Sequence, residues 1–173
     1  VRIADHDGQA LPPCEAGEIW LRGVTVMRGY WRNPEATAAA MHEGWFRTGD
    51  VGYVDEEGFL FVVDRIKDVI NRCGEKIAAA EVESCLLQQP EVLEAAVFAV
   101  PDEETGEAIA AVVSVREGSA LDAPTLRAHV GAHLAAYKVP AVVHVLTDAL
   151  PRNPAGKLLK AQLRSAFIAA AQG

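Results

Sequence analysis

The sequence predicts an α+β fold, a mixed β-sheet packed with helices, preceded by a β-rich stretch that has no convincing core of its own. Three observations predict it. Apolar residues recur at helical spacing only beyond Arg65. Strand candidates alternate with those helices from Val92 onward, and the first 63 residues hold short strands broken by turn signals. Those first residues therefore read as the edge of a larger domain whose remainder lies elsewhere.

The elements follow in order. Val1-Arg2-Ile3 alternates apolar and polar, Asp7-Gly8 signals a turn, and Glu18 to Arg22 is a short strand closed by Gly23. Asn33 can cap a brief helix with Pro34 at its first position, continuing to Met41. Gly52 to Asp55, the turn Glu56-Glu57-Gly58, and Phe59 to Val63 read as a hairpin. Ala78, Val82, Cys85, Leu86 and Gln89 mark a helix that Pro90 ends. Val92 to Val100 and Ala108 to Val115 are apolar strands separated by a polar turn, close enough to form a hairpin. Leu126, Val130, His133 or Leu134, and Tyr137 mark another helix, and Val142 to Leu146 a strand. Leu159, Leu163, Phe167 and Ala170 mark the last helix.

Half of the 173 residues are apolar and 23% are charged, which suits a packed body rather than disorder. A formal charge of -8 disfavours general binding to nucleic acid or anionic membranes. It leaves room for a local basic pocket that takes one phosphorylated small molecule. Three cysteines without metal-like spacing suggest reduced thiols in a cytoplasmic protein. No run approaches the roughly twenty apolar residues of a membrane span. Because the chain starts at Val1 without a leader, it reads as an excerpt.

Polar chemistry concentrates in Arg47-Thr48-Gly49-Asp50, in Asp64-Arg65-Ile66-Lys67-Asp68, and in Asn71 to Ile77. Asp50, after a glycine, can present a carboxylate to a diol such as a ribose; an Asx-turn or strand cap is the competing reading. In an extended segment Arg65 and Lys67 would point the same way, at a junction that also reads as a solvated turn with weak ion pairs. Gly74, in a Cys-Gly-Glu-Lys turn before a helix, could offer backbone N–H groups to an anion or let a thin ligand pass. Cys73 lacks a nearby base and reads as a bystander thiol.

Pro151 to Lys157 is a stiff loop presenting Lys157, a cation suited to phosphoryl oxygens. Gly156-Lys157 is not a phosphate loop, since the earlier glycine and the following hydroxyl are missing. Lys160, offset by three, reads equally well as a helix-surface charge. His129 and His133 lie at helix-compatible spacing, but without a local acidic third ligand packing is favoured over zinc, and no metal site is expected. Trp20, Trp31, Trp45, Tyr30 and Phe46 read as packing for the early strands.

Together, Gly44 to Asp50, Asp64 to Ile70, Gly74 to Ile77 with Glu81-Val82-Glu83, and Pro151 to Lys157 resemble the C-terminal part of the AMP-forming acyl-CoA synthetases, the acyl-adenylate-forming superfamily. The resemblance spans essentially the whole chain. It implies residues 1–64 as the end of a large N-terminal domain and 65–173 as a small, mobile C-terminal domain. It further implies that Asp50 binds the ribose hydroxyls of ATP or the adenylate, with Arg65 assisting at the ribose and phosphate. Lys67 would be the hinge, and Lys157 would reach the carboxylate and α-phosphate during adenylation. Gly74 and Glu75 would belong to the face that forms the pantetheine tunnel after the swing.

Such enzymes use ATP, Mg2+ and CoA with a carboxylic acid; none of these is needed for the fold of this chain. The ATP loop, the adenine-stacking segment, the magnesium-associated glutamate and most of the acyl pocket would lie in the missing N-terminal domain, so the chain alone is expected to be inactive. Two alternatives stay open. One is an adenylation domain that loads the pantetheine thiol of a carrier protein, and the other is a noncatalytic nucleotide-binding or interaction module.

Overall fold

The computed structural model describes residues 1–171, and the chain divides into two compact units, one of Val1–Lys67 and one beginning at Asp68. The first unit is a curled five-stranded sheet. Strand β1 (Arg2–Ala4) pairs antiparallel with β2 (Gly17–Leu21). Helix α1 (Pro34–Ala40) starts at Asn33, whose Oδ1 accepts from the Ala36 N–H at 2.9 Å. The short β3 (Met41–His42) follows. The long β4 (Trp45–Val54) pairs antiparallel with β2 and β3, and with β5 (Leu60–Arg65). Register shifts between Glu18 and Trp20 and between Val51 and Gly52 bend these ladders.

The buried apolar residues of this unit are Ile3, Ala4, Ile19 and Trp20. Strand β5 is apolar yet uncovered on both faces: Phe61 is 43% and Val62 65% exposed. A half-buried strand would alternate, and this one does not.

The second unit explains its own sequence pattern. Strands β6 (Val69–Arg72) and β7 (Glu75–Ala78) form an antiparallel hairpin leading into α2 (Ala79–Leu86). Strands β8 (Val92–Asp102) and β9 (Gly106–Val115) form a long antiparallel hairpin; after α3 (Ala123–His133), β10 (Val142–Leu146) joins β9 in parallel. Helix α4 (Lys160–Ala171) closes the described chain.

The mixed sheet, in order β10-β9-β8, is covered on both faces. Val97, Ile109, Ala111 and Val113 face one cluster with Val82 and Leu86 of α2 and Leu126 and Val130 of α3. Ala96, Phe98, Ala110 and Val112 face the other, with Leu150 from the following loop and Phe167 from α4. Double coverage is why β8 and β9 read as nearly unbroken apolar runs instead of alternating ones.

Several boundaries differ from the sequence reading. Helix α2 stops at Leu86, and turn bonds from Gln88 to Cys85 and from Gln89 to Leu86 end it before Pro90 is reached. Tyr137 lies outside α3 in a separate 3-10 turn, Ala136–Lys138. Strand β8 continues through Pro101, which a strand at the sheet edge tolerates. No described helix is long and apolar enough to cross a membrane.

Candidate functional site

In the first unit, Arg47-Thr48-Gly49-Asp50 lies inside β4 rather than before it. Gly49 takes φ +73, a left-handed value that costs a glycine little, and so turns the strand in mid-course. The buried carboxylate of Glu18 anchors this bend. It accepts from Trp20 Nε1 at 2.9 Å, from Arg47 Nε at 3.0 Å and from the Gly49 N–H at 3.2 Å. The Thr48 hydroxyl donates to the Ile19 carbonyl at 2.8 Å and accepts from the Asp50 N–H at 3.0 Å.

Asp50 sits opposite Arg65 in the β4–β5 ladder, and Arg65 Nε meets Asp50 Oδ1 at 3.0 Å. Both side chains remain partly exposed, at 30% for Asp50 and 46% for Arg65. The result is a carboxylate and a guanidinium held side by side and partly exposed, suited to a diol and an adjoining anion. Glu18 was missing from the sequence reading. Its signal is an acid within the apolar strand GEIWL, which must find donors once buried.

The extended geometry expected for Arg65 and Lys67 is not found. Arg65 ends β5, while Ile66–Asp68 is a 3-10 turn that carries Lys67 exposed to solvent. The strand cannot continue because the chain turns there into β6.

In the second unit, Gly74 is not at a helix N-terminus. Cys73 and Gly74 form the two-residue turn of the β6–β7 hairpin with φ +52 and +90, the doubly left-handed turn that matches strand twist. Strand β7 separates that turn from α2. The Cys73 N–H is engaged with the Thr105 carbonyl at 3.0 Å, so it is not offered to an anion. Asn71 N–H donates to Glu107 at 2.7 Å, and the hairpin tip thereby rests on the β8–β9 turn. Gly74 and Glu75 themselves are exposed.

The Pro151–Lys157 segment is a tight turn braced from both sides. Arg152 bridges to Leu158, Gly156 N–H donates to the Asn153 carbonyl at 2.8 Å, and Asn153 Oδ1 accepts from the Lys157 N–H at 2.9 Å. Arg152 Nη1 donates to the Gly156 carbonyl at 2.6 Å. Glu94, on β8, clamps the whole turn. It accepts from the Leu150 N–H at 2.7 Å and from Arg152 through Nε at 3.0 Å and through Nη2. The Leu150 N–H, then Arg152, hold the Glu94 carboxyl below its ordinary value.

Lys157 emerges from this clamp exposed, with no ion pair among the described residues. Lys160 is not a surface charge: its Nζ meets Glu83 at 2.7 Å, with both side chains largely covered. Glu83 also accepts from the Val97 N–H at 2.7 Å, which ties α2 and α4 to β8. Cys14 and Cys73 are exposed free thiols, and Cys85 is buried. Burial, then Glu81, pushes the Cys85 thiol up, away from nucleophilic character.

Residues 81–157 match the AMP-binding enzyme C-terminal domain. The chain is 49% identical over 158 residues to a 2-succinylbenzoate–CoA ligase of Geobacillus kaustophilus (strain HTA426), covering 91% of this chain and 32% of the relative. Among solved structures, it superposes on the amide bond synthetase McbA of Marinactinospora thermotolerans with TM-score 0.87 at 42% identity, over 96% of this chain and 33% of that one. It also superposes on the O-succinylbenzoate coenzyme A synthetase of Bacillus subtilis in complex with ATP and magnesium ion, with TM-score 0.85 at 42% identity, over 94% and 33% of the two chains. The chain thus spans about a third of the length of the relatives it matches. Its sequence and its mixed α+β fold match the acyl-adenylate-forming superfamily, and residues 81–157 match that superfamily's AMP-binding enzyme C-terminal domain.

Proposed function

We propose that this chain is the C-terminal portion of an ATP-dependent, AMP-forming ligase that converts a carboxylic acid to an acyl-adenylate and passes the acyl group to CoA. The observation that carries the reading is the contrast between two lysines: Lys160 is largely covered in an ion pair, while Lys157, on a clamped turn, is exposed and has no ion pair among the described residues. In the first step a substrate carboxylate oxygen attacks the α-phosphorus and pyrophosphate leaves. Two anions must approach each other there, and Lys157 offsets that repulsion. In the second step a thiolate attacks the acyl carbonyl and AMP leaves.

Asp50 accepts the ribose hydroxyls, and Arg65, already beside it, adds a donor at the ribose and phosphate. Lys67 serves as the hinge, so that Lys157 acts in the first step and the Gly74–Glu75 turn, lining the pantetheine path, in the second. Residues 1–64 supply the end of the large N-terminal domain and 65–173 the mobile one. The bare apolar strand β5 supports that division, because the missing domain would cover it. Mg2+ is not assigned to this chain; the ion and the acyl pocket belong to the N-terminal domain. A second reading, transfer of the acyl group to an amine, is favoured by the match to an amide bond synthetase.

The test uses the complete protein, with the N-terminal domain present. Lys157→Ala is expected to lower ATP–pyrophosphate exchange by about 100- to 1,000-fold, the scale set by loss of one preorganised stabilising group. Thioester formation from supplied acyl-AMP should be spared. Equal loss in both steps would overturn the division of roles. Product formed with an amine but not with CoA would replace the first reading by the second.

A further inference from the structure

Cys85 lies on α2 and both His129 and His133 on α3, two helices that share one core cluster. Folding brings together one ligating atom from each, all within 4.8 Å of one another. The sequence hid this triad, because Cys85 lies 44 residues from His129. The two imidazoles stand one helical turn apart with ring centroids at 4.3 Å.

Their hydrogen bonds reveal which nitrogen carries the proton in each neutral ring, since a carbonyl oxygen only accepts. His129 Nε2 lies 3.0 Å from the Cys85 carbonyl, so Nε2 holds the proton and Nδ1 the lone pair, on which the Gln89 amide donates at 2.7 Å. His133 Nδ1 lies 2.8 Å from the His129 carbonyl, which leaves the lone pair on Nε2. That Nε2 makes no hydrogen bond among the described residues. Each ring is thus oriented by a backbone carbonyl, as the outer-shell partners of metal-binding histidines orient them. Burial is graded, with Cys85 buried, His129 intermediate and His133 exposed, so the cluster opens to solvent on the His133 side.

We propose that Cys85, His129 and His133 form a binding site for a zinc-class divalent ion that ties α2 to α3, with water completing the coordination. One sulfur and two nitrogens suit borderline-soft ions; Mg2+ prefers oxygen ligands. On binding, the Cys85 S–H bond breaks and its proton passes to solvent, while the thiolate pair forms the S–metal bond. The two imidazole lone pairs form the N–metal bonds, and His129 exchanges one of its ring hydrogen bonds for the ion. None of these residues takes part in the proposed ligase chemistry, so the site stands or falls independently of it.

The test is a Co2+ titration of the chain after treatment with a chelator, with cobalt as a coloured stand-in for zinc. Expected is one ion per chain, with a near-ultraviolet thiolate-to-cobalt charge-transfer band and visible bands of tetrahedral cobalt. Cys85→Ser should abolish the charge-transfer band. His133→Ala, an exposed position whose loss leaves the core intact, should weaken binding by at least about tenfold. His6→Ala, which alters the separate Asp5–His6–Asp7 cluster, should change nothing. Absence of the charge-transfer band in the wild type would overturn the proposal. So would its persistence in Cys85→Ser, or unchanged affinity in His133→Ala. Should Cys85→Ser fail to fold, His133→Ala decides.

Discussion

The two sheets of this chain solve the same problem differently. The β9-centred sheet is covered on both faces, by α2 and α3 on one side and by α4 on the other. The β4-centred sheet buries a few residues around Ile19 and Trp20 and leaves β5 bare. Both contain apolar strands, so composition does not separate them. The difference lies in helices supplied close by in sequence, which cover the second sheet within its own unit. The same contrast appears in the polar chemistry. Asp50 and Arg65 are fixed by a strand ladder, whereas Lys157 is fixed by a turn that Glu94 clamps from a strand.

All three tryptophans, Trp20, Trp31 and Trp45, lie in the first unit, while α2, α3 and α4 lie in the second. Tryptophan fluorescence therefore reports the first unit, and helical circular dichroism chiefly the second, since the first holds only the seven-residue α1. Leu126→Ala, which removes a fully buried side chain, should cost about 2–5 kcal/mol in urea unfolding followed by circular dichroism. The fluorescence midpoint should move much less; equal shifts would make the two units one cooperative body.

Glu94→Gln should have a smaller effect, about 1–2 kcal/mol, because it weakens a charge-assisted clamp but keeps an acceptor for the Leu150 N–H. It should also speed amide exchange at Gly156 and Lys157. The pH dependence has a definite sign. The Glu94 carboxyl is held low in the folded chain, so its contribution is complete above the ordinary value of about 4.5. It declines as pH falls below that value and is gone beneath the lowered folded value. Thermal melts of wild type and Glu94→Gln should therefore converge over that acid range; a constant gap would remove Glu94 ionisation as the cause. The smallest effect is expected from Val62→Ala, within about 0.5 kcal/mol by tryptophan fluorescence, because the side chain is already solvated. In the complete protein the same change should cost more, and equal costs in both contexts would argue against a covered β5.

Much of this was legible from local signals. Asn33-Pro34 placed α1, the Glu56-Glu57-Gly58 turn placed the β4–β5 hairpin, and the spacing of Leu126 and Val130 placed α3. The chemistry-bearing segments were also visible as polar clusters. The two compact units meet between Lys67 and Asp68, and the β4–β5 ladder keeps Arg65 opposite Asp50. Glu18 beneath Gly49, Glu94 beneath Arg152 and Cys85 beside His129 were not visible, because each partner is contributed by a different element.

The sequence by itself determined most of the elements, though not the β6–β7 hairpin, together with the mixed α+β class and the candidate residues, because capping, turn chemistry and periodicity act over a few residues. Only the tertiary structure decided what those residues meet. It separated Lys157 from Lys160, joined Asp50 to Arg65, and gave two histidines a thiol. Those outcomes rest on long-range packing, where burial forces each polar group to find a partner that sequence distance does not reveal.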